Sequence, residues 1–190
     1  MSPGAGRPRR ADVDQAIARA TLELLSESGF ERLTIEAVAQ RAGTGRPTVY
    51  RRFPSKAALV AGAVAGSLAT ANPTAPRSDD VNTDVRSLLT NLVAALDDTP
   101  LGTAVTELIG PAARDTNVAD TLQAAIAERR ELIRGLLERT GEEGRLRCAD
   151  VEAGIDMLLG AIYFRHLITR QAMSPRFVGQ IVDTVVQPRA

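Results

Sequence analysis

The 190-residue chain has one cysteine, one histidine and no tryptophan, and aromatic residues make up only 3% of it. Cys148 alone cannot close an intramolecular disulfide, and with His166 as the single histidine no Cys/His metal cluster can be assembled. No stretch approaches the roughly 20 consecutive apolar residues that a membrane span requires. The N-terminus, MSPGAGRPRRAD, is basic but has no apolar run behind it, so it does not read as a secretory signal. There is no glycine-rich phosphate loop, no carboxylate pair set for acid–base work and no nucleophile with a histidine partner. These absences exclude disulfide scaffolds and metal centres and argue against an enzyme. The expectation is a cytoplasmic protein without metal or cofactor, and a hydrophobic content of 44% is ordinary for such a fold.

Net charge is lacking as well, with 23 Lys/Arg against 23 Asp/Glu. Its distribution is uneven. Residues 1–60 hold ten basic side chains against six acidic ones, and the remainder holds 13 against 17. A basic first third joined to an acidic remainder suggests that only the first third meets a polyanion.

What is present is helical periodicity. Alanine and leucine are frequent, and no run alternates apolar and polar residues as a strand would. Asp12 is the expected cap of a first helix whose stripe is Val13, Ile17, Ala20 or Thr21, and Leu24, with Gly29 as its stop. Thr34 caps a second helix that ends at Gly43, a short third covers 46–53, and Ser55 caps a fourth that runs toward Leu68. Residues 69–80, with two prolines, read as a connecting loop. Five longer segments follow, over 81–98, 100–113, 117–140, 150–171 and 175–187, with Pro111 expected to kink or end the second of them. The reading is all-α, about nine helices, with an N-terminal module over 1–68 and a C-terminal domain over 81–190.

Residues 34–56, TIEAVAQRAGTGRPTVYRRFPSK, carry the functional signal. Ile35, Val38 and Ala39 give the second helix an inward face, Ala42-Gly43 allow a tight turn, and Val49 and Phe53 anchor the third helix. Its other face then presents Arg46, Pro47, Thr48, Tyr50, Arg51 and Arg52, of which the Arg, Thr and Tyr side chains are donors suited to base edges and phosphates in a major groove. A small helical packing unit with a solvated basic face has the same pattern of burial.

The run resembles the N-terminal helix-turn-helix domain of the tetracycline-repressor (TetR) family, on Thr34, Ala37-Val38-Ala39, Ala42-Gly43, Thr48, Tyr50, Phe53, Pro54, Ser55 and Lys56. The likeness spans about residues 11–66 and rests on many spacings agreeing together. Departures lie at Thr44 and Gly45, where the family usually has a small apolar residue and a serine, and at Pro47, where Gly or Ala is common. Gly45 can serve as N-cap without a side-chain acceptor, and Pro47 is tolerated because first-turn N–H groups have no helical partner. The resemblance implies phosphate contacts from Thr34, Tyr50 and Lys56. It implies base contacts from Arg46, Thr48 and Arg51, with Thr44, Gly45 and Pro47 shaping the approach. Arg52 faces DNA or solvent. Arg7, Arg9 and Arg10 are a basic arm for phosphates or the minor groove, or a solvated tail.

The resemblance also implies that the C-terminal domain binds a ligand and dimerises. Residues 154–186 are similar to the last two helices of one TetR subgroup. Two broadly apolar helices at a chain end suggest a two-fold four-helix interface formed by Ile155, Leu158, Leu159, Ile162, His166, Phe177, Ile181, Val182 and Val185, with intramolecular core as the alternative. His166 is read as an interface hydrogen-bonding group rather than a sensor, Cys148 as structural, and Met157 and Met173 as packing residues. The expected function is a homodimeric transcriptional regulator, most simply a repressor, that a small, mostly apolar ligand releases from a palindromic duplex operator. The residues that would bind this ligand are not identified.

Overall fold

The computed structural model describes residues 10–71 and 74–188. The expected arm at Arg7 and Arg9 lies outside them, and so does the side chain of Arg10. The described residues form ten α-helices and one π-helical turn, and their β structure is limited to an isolated bridge between Leu146 and Val186. They cluster in two units. The first runs through Ser67 and includes Thr103–Leu122, and the second holds Leu68–Gly102 and Gln123 onward.

In the first unit α1 is Arg10–Arg32. It starts before Asp12, so that residue is not its cap but an acid in the first turn, where the helix dipole favours an anion. Gly29, at φ +76°, interrupts the helical path, and the helix resumes to Arg32. The buried stripe is Ile17, Thr21 and Leu25 with Ala20, so Leu25 takes the inward place expected of Leu24. Then come α2 (Ile35–Arg41), α3 (Arg46–Tyr50) and α4 (Lys56–Ala71). The backbone N–H of Ala58 donates to Ser55 Oγ at 3.1 Å, which starts α4 where its cap was expected.

The second unit contains α5 (Val81–Leu96), α9 (Val151–Phe164) and α10 (Pro175–Val185), with α10 packed against both of the others. Asp80, Asp150 and Ser174 cap them by accepting from Thr83, Ala153 and Phe177 N–H groups. Between lie α6 (Pro100–Glu107), α7 (Ile109–Ala112) and α8 (Thr116–Glu142). The expected single segment over 100–113 is two helices because Pro111 has no N–H for the carbonyl of Glu107, four residues back. That residue ends α6. The expected helix over 150–171 is also divided, since α9 passes into a π turn at Arg165–Thr169, closed by Arg170 at φ +53°. Inside that turn His166 is buried, its Nε2 2.9 Å from the carbonyl of Gly102. Gly102 is necessary there, because a Cβ would strike the Leu96 carbonyl and the imidazole.

This packing corrects the expected interface. Ile155, Leu158, Leu159, Ile162, Val182 and Val185 are buried within the chain itself, His166 and Phe177 nearly so, and Ile181 partly. Burying one Leu or Ile side chain is worth roughly 1.5–3 kcal/mol, so the four on α9 account for its docking without a second copy. The apolar side chains that α9 and the π turn leave exposed are Met157, Phe164 and Ile168. Cys148 donates to the carbonyl of Asp150 at 3.2 Å, and Met173 is buried. No helix among the described residues is long and apolar enough to cross a membrane, and no three His, Cys, Asp or Glu side chains among them are grouped to hold a metal.

Candidate nucleic-acid interface

The α2–turn–α3 segment is built by local chemistry. Thr34 is extended, and its Oγ1 accepts from the N–H of Ala37 at 3.2 Å, satisfying a first-turn donor of α2. At the other end Gly43 adopts φ +63°, its N–H donates to Gln40 and the N–H of Thr44 donates to the carbonyl of Ala39 at 2.9 Å. This is a Schellman turn, and a residue with a Cβ would be strained at Gly43. Gly45 is the N-cap of α3 and supplies no side-chain bond, with Pro47 in the first turn. The N–H of Thr48 donates to the carbonyl of Gly45 at 2.9 Å, so α3 is closed despite the missing cap.

Val49 fixes the helix, being 0% exposed beside Ile35, Val38 and Ala39 of the same core. Phe53 is half-buried, and a Cβ at Gly62 would run into its ring, so that glycine lets the aromatic seat on α4. With Val49 inward, Arg46, Pro47, Tyr50 and Arg51 are exposed, and Thr48 is half-buried. Thr44, Gly45, Thr48 and Arg51 meet along a groove of about 1120 Å³ whose far wall is Asp12, Val13 and Ala16 of α1. Thr34, Arg46, Pro47, Tyr50 and Lys56 lie outside that groove.

Several of the cations already have partners. Arg46 pairs with Glu36 of α2, both side chains exposed. Arg52 lines the same groove, pairs with Asp14 of α1, donates to the carbonyl of Thr48 at 3.1 Å and is 16% exposed. Lys56 donates to the carbonyls of Phe30 and Glu31 at 2.8 and 3.1 Å, and its ammonium lies 4.6 Å from the Phe30 ring centroid. It thereby ties the start of α4 to the end of α1, where cations are favoured by the helix dipole. Arg41 grips Glu27 through two N–H···O bonds of 2.9 Å and approaches Glu23 at 3.5 Å. The hydrogen bonds from Arg41 hold the Glu27 carboxyl below its usual value.

The sequence reading missed Asp14, Glu23, Glu27 and Glu36 as partners. Glu36 was visible as a first-turn acid of α2, but its pairing with a residue ten positions on depends on the turn between them.

Comparison with known proteins follows the same division. The sequence profile described as bacterial regulatory proteins, tetR family, matches residues 17–63, and that of the tetracyclin repressor-like C-terminal domain matches residues 75–185. The uncharacterized HTH-type transcriptional regulator YdeS of Bacillus subtilis (strain 168) is 33% identical over 96% of this chain and 92% of its own length. Another uncharacterized HTH-type regulator, Rv1556 of Mycobacterium tuberculosis, is 30% identical over 88% of this chain and 83% of its own. The crystal structure of the TetR family transcription regulator SCO0332 superposes with a TM-score of 0.69 at 34% identity, covering 90% of this chain and 95% of that one.

Proposed function

This chain belongs to the TetR family of bacterial regulatory proteins, and we propose that it is a repressor that binds a palindromic operator as a homodimer and leaves it when a small ligand occupies its C-terminal helices. The observation that carries this reading is α3, held by buried Val49 and the Gly43 turn, with Arg46, Pro47, Tyr50 and Arg51 turned outward. Arg46, Thr48 and Arg51 read base edges, while Tyr50, Thr34 and Lys56 take phosphates. Thr44, Gly45 and Pro47, which have little bulk, let the backbone approach.

The partners already in place are compatible with these roles. An exposed ion pair such as Arg46–Glu36 is worth about 0–1 kcal/mol, whereas a bidentate arginine–guanine contact discriminates by about 1–3 kcal/mol. Arg46 therefore exchanges Glu36 for a base at little cost. Lys56 uses two of its three protons on carbonyls and retains one for a phosphate.

The second copy covers the outer face of α9 and the π turn. Met157, Gly160, Phe164 and Ile168 recur there at spacings of three or four, on one side of the helix, and the three larger side chains are 46%, 58% and 67% exposed. Dimerisation through that face sets two α3 helices at a fixed spacing. A ligand that fits only the wrongly spaced state lowers operator affinity by linkage.

The test is a gel shift with DNA from upstream of the protein's own gene across a salt series. Sequence-specific binding with a steep negative salt dependence is expected. Absent or salt-insensitive binding to any DNA contradicts the proposal.

A further inference from the structure

Arg129 of α8 lies on one stripe with Ala125, Ile133, Leu136 and Leu137, all of them buried. Such a stripe faces a core, and arginine is almost never fully buried without a partner. Arg129 is only 3% exposed. Its Nη2 donates to the carbonyl of Leu68 in the last turn of α4, while Nε and Nη1 are buried with no hydrogen-bond partner among the described residues. The carboxylate that acts on its charge, Glu128, belongs to the exposed preceding residue. Tyr163 of α9 is also within reach of that charge. Burial pushes its phenol up, against the pull of the guanidinium, so the hydroxyl keeps its proton.

Burial disfavours this cation, yet a guanidinium cannot relieve the cost by losing a proton as a buried lysine does. Two nitrogens, with three N–H groups between them, are thus buried in the second unit without an acceptor among the described residues. An anion brought in from outside would satisfy them, and the apolar residues on the same stripe as Arg129 suit an apolar body attached to that anion.

We propose that Arg129, with Tyr163 beside it, is the anion-binding end of the effector site and takes the carboxylate of an otherwise apolar organic acid. This rests on the reading of the C-terminal helices as the effector domain. An arriving carboxylate shares the guanidinium with the Leu68 carbonyl, so occupancy of the site and the last turn of α4 draw on the same side chain.

The test is thermal denaturation of the full chain with decanoate and benzoate, each beside its neutral alcohol, and with inorganic phosphate. A carboxylate is expected to raise the melting temperature where its alcohol and phosphate do not. Its apparent affinity should fall roughly 10- to 100-fold in Arg129→Met and by less in Tyr163→Phe. It should be unchanged in Arg130→Met, which removes a half-buried arginine of the same helix that is paired with Glu152 and Asp156. If Arg129→Met does not fold, Arg129→Lys decides, since it keeps the charge but not the forked donors and must itself weaken the response. Equal responses to acid and alcohol, a response to phosphate alone, no response to either acid, or an unchanged response in the Arg129 variants each overturn the assignment. Operator binding by the unaltered chain without any acid is measured alongside. Its absence overturns the regulator reading, whereas failure of the carboxylate response overturns only the role of Arg129.

Discussion

The arginines of the helix-turn-helix and the arginine buried in α8 are placed under opposite conditions. Arg41 and Arg46 each have a carboxylate partner at the surface, where water screens the charge and a new partner can replace the old one. Arg129 is shut away from water, with two of its nitrogens unpaired among the described residues. The first arrangement costs little and is reversible, which suits a surface that must take up and release a polyanion. The second is costly, and a buried cation of that kind gains most from a ligand of opposite charge.

The comparison is tested most strongly by the sign of two stability changes. Arg129→Met replaces an unpaired buried charge with an apolar side chain and should stabilise the ligand-free chain by about 1–4 kcal/mol in urea unfolding. A loss of stability would show that the guanidinium is already satisfied. Arg46→Ala should leave stability within about 0.5 kcal/mol while relaxing preference at one or two base pairs by ~1–3 kcal/mol. Binding to variant operators checks this, and an untouched preference would remove Arg46 from the reading of bases. Arg52→Met, in contrast to Arg129→Met, should destabilise by about 1 kcal/mol, because it removes the half-buried guanidinium that ties Asp14 of α1 to the carbonyl of Thr48.

Two smaller effects refine the surface half of the comparison. Glu36→Gln releases Arg46 and removes a negative charge near the phosphates, so operator affinity should rise, by no more than about 1 kcal/mol. A fall would mean that Glu36 positions Arg46 for its base. Arg41 depresses the Glu27 pKa, so the stability this pair contributes is complete above the ordinary glutamate value and is lost as pH falls through the depressed one. The gap in melting temperature between the native chain and Glu27→Gln should therefore be present near neutrality and close in acid. A gap independent of pH would rule out the carboxylate as its source.

The helix-turn-helix was legible in the sequence because its determinants are local. Thr34, Gly43 and Ser55 act on N–H and carbonyl groups a few residues away, and Val49 lies inward by simple periodicity. The non-local pairs were not legible: Asp14 with Arg52 and Glu36 with Arg46 meet only once three helices have packed. The same limit misdirected the interface assignment. Periodicity identified Ile155, Leu158, Leu159 and Ile162 as buried, but an apolar stripe does not say whether its cover is the chain's own α10 or a second copy. Nor does it say which helices group together, and Thr103–Leu122 cluster with the first unit although they follow α5 in the chain. Arg129 was legible in principle, four residues before Ile133 on the inward stripe of α8, as a charge where the pattern asks for an apolar side chain.

The central claim is that two outward-facing α3 helices, paired by a dimer, read a two-fold operator. Selection of binding sites from a randomised duplex pool with the full chain tests it most directly. The account predicts an enriched palindrome whose half-site centres lie about 10 base pairs, or a multiple of one helical turn, apart. Recovery of no enriched motif, or of a single asymmetric site, would contradict it.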